Sequence, residues 1–188
     1  MTIQEQYERA TQEWSDFCSH MHRCVDLVVN LDAKHVIELG VRDGVSTRAW
    51  LQGLSVTGGR LTTVDLSPAP MLEHEGVDWV HYEGNDQDLG LYENLFAERG
   101  PADVCFLDTS HTYEDTVREL ALYWPWTKKA FVLHDLYLDE TGGTQPGPVM
   151  QAVREFVERE GLSFTAYTDS YGLGIVTRGI PNYVEDGE

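Results

Sequence analysis

The residues best able to do chemistry in this sequence fall just past the ends of short apolar runs. Asp43 and Ser46 follow His35-Val36-Ile37-Glu38-Leu39, Asp65 closes Leu61 to Asp65, and Asn85 and Asp86 follow Trp79 to Tyr82. Asp108, Ser110 and His111 follow Asp103 to Leu107, and His134 and Asp135 follow Ala130 to Leu133. A carboxylate accepts hydrogen bonds from hydroxyls and ligates cations, and an imidazole exchanges its proton near neutral pH. One polar residue in such a place reads as a helix cap. Asp65 also fits a turn or cap before Ser67-Pro68, and His111 a cap for a helix that begins near Thr112. Recurrence after each of these runs asks for more than capping. In an open α/β sheet, ligands bind beyond the carboxyl ends of the strands, so these residues mark one functional rim.

The segment Glu38-Leu39-Gly40-Val41-Arg42-Asp43-Gly44 closes the first run. Dinucleotide loops read G-x-G-x-x-G, and their second glycine lets the backbone approach a pyrophosphate. Arg42 holds that place here, and the next glycine is Gly44. The loop can still bend closely over a ligand at Gly40 and Gly44, but a pyrophosphate cofactor is disfavoured. An acid at the end of the second run, Asp65, suits the paired hydroxyls of a ribose.

The elements that must position this rim follow from periodicity. Tyr7, Trp14, Phe17, Met21, Val25 and Val28 recur at three- and four-residue steps or their sum, which predicts one amphipathic helix over residues 4–30. Its stripe covers the sheet or forms a homodimer contact. The apolar runs then read as five strands, separated by helical segments at Ser46 to Leu54, Leu89 to Arg99 and Tyr113 to Tyr123. Thr57-Gly58-Gly59, Gly100-Pro101 and Pro125 are the breakers. A helix from Val149 to Glu160 precedes Ser163 to Thr168 and Leu173 to Arg178, two strands around Asp169-Ser170-Tyr171-Gly172. The expectation is one α/β domain over residues 1–188. Its core, residues 35–178, is a Rossmann-like, mostly parallel seven-stranded sheet with helices on both faces and a C-terminal antiparallel hairpin.

Composition narrows the function classes. With 13 basic against 32 acidic residues and a net charge of −19, the chain has the wrong balance for neutralising phosphates, so neither nucleic acid nor an anionic membrane is an expected partner. No apolar run approaches the ~18 residues of a membrane helix, and the first ten residues lack a signal-peptide pattern, which makes a cytoplasmic location the expectation. Cys18, Cys24 and Cys105 form no disulfide framework. Cys18, His20, His22 and Cys24 crowd one helical segment, but they point in pairs to different faces and cannot close a four-ligand site.

Four stretches taken together carry a resemblance. They are Glu38 to Thr47, Val64-Asp65, Phe106-Leu107-Asp108-Thr109-Ser110-His111-Thr112-Tyr113-Glu114, and Val132-Leu133-His134-Asp135. In this order they resemble the class I S-adenosylmethionine-dependent methyltransferases. The narrower likeness is to the group of cephalosporin-hydroxylase-like proteins and macrolide or aminocoumarin sugar O-methyltransferases. The resemblance implies that Glu38 and Gly40 hold the amino group of the cofactor's methionine, with Gly44 and Ser46 near its carboxylate. It further implies Asp65 on the ribose, Asn85 or Asp86 on the adenine, and Asp108 beside the cofactor. Metal-dependent members carry one acid after strand four and an acidic or amide pair after strand five. Asp108, His134 and Asp135 stand at those places, implying a divalent ion such as Mg²⁺ or Mn²⁺. The imidazole departs from an all-oxygen set and admits softer ions.

The expected activity is methyl transfer to a hydroxyl of a small-molecule acceptor. Such an in-line displacement needs proximity and a deprotonated acceptor. His111 is the first choice of general base and His134 the second, while a metal on Asp108 and Asp135 offers another route. Tyr137 and the stretch Thr141 to Gly147 read as a lid. Two other readings stay open: an inactive cofactor-binding or interaction protein with an acidic surface, and a metal-assisted hydrolase on the same fold.

Overall fold

The computed structural model describes residues 1–138, 145–179 and the backbone of 183–186. The chain order is α1 (Ile3–Gln12), α2 (Met21–Asn30), β1 (His35–Leu39), α3 (Val45–Thr57), β2 (Arg60–Asp65), β3 (Asp78–Glu83), α4 (Leu89–Arg99), β4 (Ala102–Leu107) and α5 (Tyr113–Tyr123). There follow β5 (Thr127–His134), α6 (Pro148–Glu160), β6 (Ser163–Tyr167), β7 (Leu173–Thr177) and β8 (Tyr183–Asp186). One sheet has the order β3-β2-β1-β4-β5-β7-β6-β8. Strands β1 to β5 pair in parallel, and β7 enters antiparallel between β5 and β6. The seven expected strands form, and β8 adds an eighth, parallel to β6.

The sheet carries a core on each face because side chains alternate along a strand. From β4 and β5, Cys105, Leu107, Phe131 and Leu133 join the cluster beneath α4, α5 and α6. Val104, Phe106, Ala130 and Val132 point the other way, toward α1 to α3. In β1 the same alternation sends Val36 and Glu38 to the α3 side. Sequence order reverses between β1 and β4, which opens a crevice at their carboxyl ends.

The single helix expected over residues 4–30 is two helices with a turn between them. Glu13 ends α1 in extended backbone, and a 3₁₀ turn, Cys18–His20, starts α2. Trp14 fits a three- and four-residue stripe yet is 92% exposed, whereas Phe17 is buried. Leaving the helix frees Phe17 to plug the sheet, with its ring 5.3 Å from Phe106 and 5.1 Å from His134. The stripe packs within the chain: α2 lies so close to α3 that a Cβ on Gly53 would come within 2.8 Å of Val28.

At the opposite end of the sheet, three cations each cap the C-terminus of a helix. Lys129 Nζ donates to Leu31 O at 2.8 Å, Lys34 Nζ to Thr57 O at 2.5 Å, and Arg60 to Arg99 O. Orphan carbonyls and the negative dipole end are satisfied together.

Candidate cofactor and active site

Gly40 lies where β1 and β4 end side by side. Its φ is +86°, and a Cβ there would sit 1.9 Å from Asp108 O, so no other residue fits without moving β4. Gly40 thus sets the spacing of the crevice itself. Arg42 also has positive φ, at 47°. Asp65 fixes this bend: Oδ2 accepts from Val41 N at 2.7 Å and Arg42 N at 3.1 Å, and Oδ1 from Ser67 N at 2.8 Å. Burial opposes ionisation of Asp65, but these backbone N–H groups prevail and hold its carboxyl below the usual range.

Glu38 is fully buried on the α3 side of β1. Ser46 Oγ donates to Oε1 at 2.5 Å and Thr47 Oγ1 to Oε2 at 2.7 Å. Burial pushes the carboxyl up to about 8, although both hydroxyls favour its charge. Glu38 therefore anchors the first turn of α3, which begins at Gly44 in the left-handed region.

A cavity of about 430 Å³ runs from Gly40 and Asp65 past Asn85 and Asp86 to Glu119, with Asp108 in its wall. A second, of about 380 Å³, lies between the turn at residues 13–17 and the loop at 41–48, and includes Ser46 and Asp108. The two share Arg42 and Asp108. Asn85 is exposed and caps its own turn, accepting from Gln87 N at 2.8 Å. Asp115, at the start of α5, ties the two loops together by accepting from Ser110 Oγ at 2.7 Å and Gln87 Nε2 at 3.1 Å.

Where the shared wall meets the end of β5, carboxylates and imidazoles converge. His111 Nε2 is 2.9 Å from Asp108 Oδ1 and 3.0 Å from Asp135 Oδ2. His111 and Asp135 both have φ of 57°, a strained conformation for residues with side chains. Burial works against the His111 cation, but the two carboxylates outweigh it and raise the imidazole to about 10. They hold it as an imidazolium in this arrangement. Asp108 is driven strongly down: its burial is outweighed by hydrogen bonds to His111 and His134. His134 Nε2 donates to Ser170 O at 3.1 Å, turning Nδ1 toward Asp108 at 3.6 Å and Asp135 at 3.4 Å.

Among the described residues, Asp108, His111 and Asp135 are the group whose ligand atoms lie within 4.8 Å of one another. Asp135 Oδ1 is buried without a hydrogen-bond partner. Two carboxylates and the His111 imidazole suit a divalent cation, and the donation from His134 Nε2 to Ser170 O aims the Nδ1 of that second imidazole at the same carboxylates. His111 thus stands closer to the acids than His134, which the sequence favoured as the ligand. Tyr137, expected in a lid, is buried in the core against Gly172; residues 141–144 of that stretch lie outside the described residues.

Sequence reasoning missed Glu119, which is 1% exposed and lines the larger cavity. Its signal was its place three residues after Thr116 and four before Tyr123, on the buried face of α5.

The family described as a methyltransferase domain matches residues 37–136. The chain belongs to that family. Solved structures agree on the fold. The MycE methyltransferase of the mycinamycin pathway, in complex with Mg and SAH, is 15% identical with a TM-score of 0.62 over 91% of this chain and 51% of its own. This methyltransferase-family chain therefore spans about half the length of MycE. The Bacillus cereus O-methyltransferase in complex with SAH is 17% identical, with a TM-score of 0.61 over 94% of this chain and 90% of its own. SAH-bound PaMTH1 of Podospora anserina is 13% identical, with a TM-score of 0.64, covering 94% and 87%. A search of curated protein sequences finds no match. Among the described residues, no helix is long and apolar enough to cross a membrane.

Proposed function

We propose that this methyltransferase uses S-adenosylmethionine to methylate a hydroxyl of a small molecule. The observation that carries the reading is the pair of cavities meeting at Asp108, beside the His111 and Asp135 cluster. The larger is the nucleoside lobe, with Asp65 toward the ribose and Asn85 and Asp86 toward the base. The smaller is the amino-acid lobe, walled by Arg42, Asp43 and Ser46 on the loop that Gly40 and Gly44 shape, with Glu38 holding Ser46 in place. The reactive sulfonium then falls near Asp108, where a negative wall favours it. The family match and the SAH named for similarly folded enzymes support this assignment.

The acceptor hydroxyl must give up its proton as the methyl carbon leaves sulfur. His111 faces this place and is the base assigned here, acting from the neutral imidazole that forms once it releases its Nε2 proton to solvent and turns from the carboxylates to the acceptor; His134 is the second imidazole. Asp108, His111 and Asp135 would hold a divalent ion, which when bound lowers the pKa of a coordinated hydroxyl. Mg²⁺ named in the MycE complex supports testing that ion beside Mn²⁺.

Calorimetric titration with S-adenosylmethionine tests the cofactor assignment, and the parent chain is expected to bind. Asp65→Ala should weaken binding by roughly tenfold or more, since two ribose hydroxyls lose their acceptor. A parent that shows no binding heat overturns the reading, and an Asp65→Ala chain that binds as tightly as the parent overturns the ribose assignment. Activity on hydroxylated acceptors that is unchanged by EDTA would exclude the metal.

A further inference from the structure

The inner end of the larger cavity holds two acids face to face. Glu119 Oε1 accepts from Thr109 Oγ1 at 2.7 Å, while its Oε2 is buried without a partner. Asp86 Oδ2 is buried without a partner too, and the two side chains lie within hydrogen-bonding reach of each other. Carboxylates this close in a dry site cannot both ionise, so the pair keeps one proton. Backbone N–H groups of Asp86 and Gln87 favour the charge on Asp86, which leaves the proton on Glu119. Burial, then the neighbouring Asp86 charge, pushes the Glu119 carboxyl up. The other titratable groups around the pair are Asp115 and Tyr123 on α5, Cys105 on β4 and, behind Tyr123, Tyr92 on α4. The cation Arg118 lines the cavity and pairs with Asp115 at 3.5 Å.

In the free chain that proton lies between the two acids; to a ligand edge that enters between them the pair can offer one O–H donor beside one carboxylate acceptor. Its complement is a ring nitrogen next to an amino group, the edge of a 6-aminopurine; a 6-oxopurine reverses both roles. We propose that Glu119 is a specificity-determining residue of the base subsite, donating to a purine ring nitrogen while Asp86 accepts from the adjacent 6-amino group. This rests on the cofactor reading above.

The test is calorimetric titration of the full chain with S-adenosylhomocysteine and with its 6-oxo counterpart, S-inosylhomocysteine. The parent should bind the amino compound about tenfold tighter or more, because the oxo compound leaves buried polar groups mismatched. Glu119→Gln keeps a donor and should bind the amino compound within about threefold of the parent, whereas Glu119→Met should lose about tenfold. Between about pH 7 and about pH 9.5, the ratio of parent to Glu119→Gln affinity should fall at least about fivefold, because only the parent loses its donor proton. A flat ratio overturns the proposal, whether or not Glu119→Met folds. So does a Glu119→Met chain that folds and binds like Glu119→Gln. A parent that binds both compounds equally overturns the base assignment alone, and a parent that binds neither overturns the cofactor reading with it.

Discussion

Glu38 and Asp65 end neighbouring strands, yet their carboxyls move in opposite directions. Asp65 meets three backbone N–H groups at the surface of the crevice and is shifted down. Glu38 is sealed between β1 and α3 and is shifted up to about 8, because burial outweighs its two hydroxyl donors. A carboxyl whose folded pKa is raised gives stability that is complete below its unfolded value, about 4.5, and is lost as pH rises through about 8. Glu38→Gln should therefore flatten the decline in unfolding free energy across that window. Urea melts at several pH values check this, and a Glu38→Gln profile parallel to the parent's would contradict the assignment. The rim residues were legible because each polar side chain ends an apolar run. Glu119 was not, because an acid within a helix ordinarily reads as solvent-facing.

The rim depends on how each helix starts. Thr112 caps α5, its Oγ1 accepting from Asp115 N at 3.2 Å, and the preceding residue is the strained His111. The cap holds the backbone bend that turns His111 toward Asp108 and Asp135. Thr112→Ala should cost about 1 kcal/mol of stability, read from denaturant midpoints. It should also lower turnover more than the stability loss alone explains, since His111 loses its fixed approach. An unchanged turnover at the lower stability would mean that the His111 bend holds without the cap. At the other pole, Lys34, Arg60 and Lys129 spend their charge on helix C-termini, so basic residues in this acidic chain serve the scaffold. Helices and strands between residues 35 and 178 were readable from Gly and Pro breakers. The turn at 13–17 was not, because Trp14 keeps a helical spacing while its environment is solvent.

Across the whole molecule, a net charge of −19 makes like-charge repulsion a standing cost to the compact state. Added salt screens it, so raising ionic strength from about 0.01 M to about 0.15 M should raise the melting temperature; a fall would show that ion pairs dominate instead. The same acidity surrounds the crevice with Asp65, Asp86, Asp108 and Asp115. A cationic sulfonium cofactor fits that field, and a phosphate-bearing ligand does not. The N-terminal segment belongs to this scale too. Ser19 Oγ donates to Ser170 Oγ at 2.9 Å and Arg23 donates to Asp169 at 3.0 Å, tying the start of α2 to the β6–β7 turn.

The sequence by itself determined the alternation of strands and helices, the terminal hairpin and the polar strand ends. Those features are local, written in hydrophobic period, breakers and composition. Only the tertiary structure decided which polar groups meet. His111 reaches Asp135 because β4 and β5 are parallel neighbours whose loops leave the sheet on one side, with both residues bent into left-handed backbone. Glu119 reaches Asp86 because α5 packs back over the loop after β3. Such pairings depend on sheet order and helix placement, which no local spacing records, and they decide the protonation state of the site.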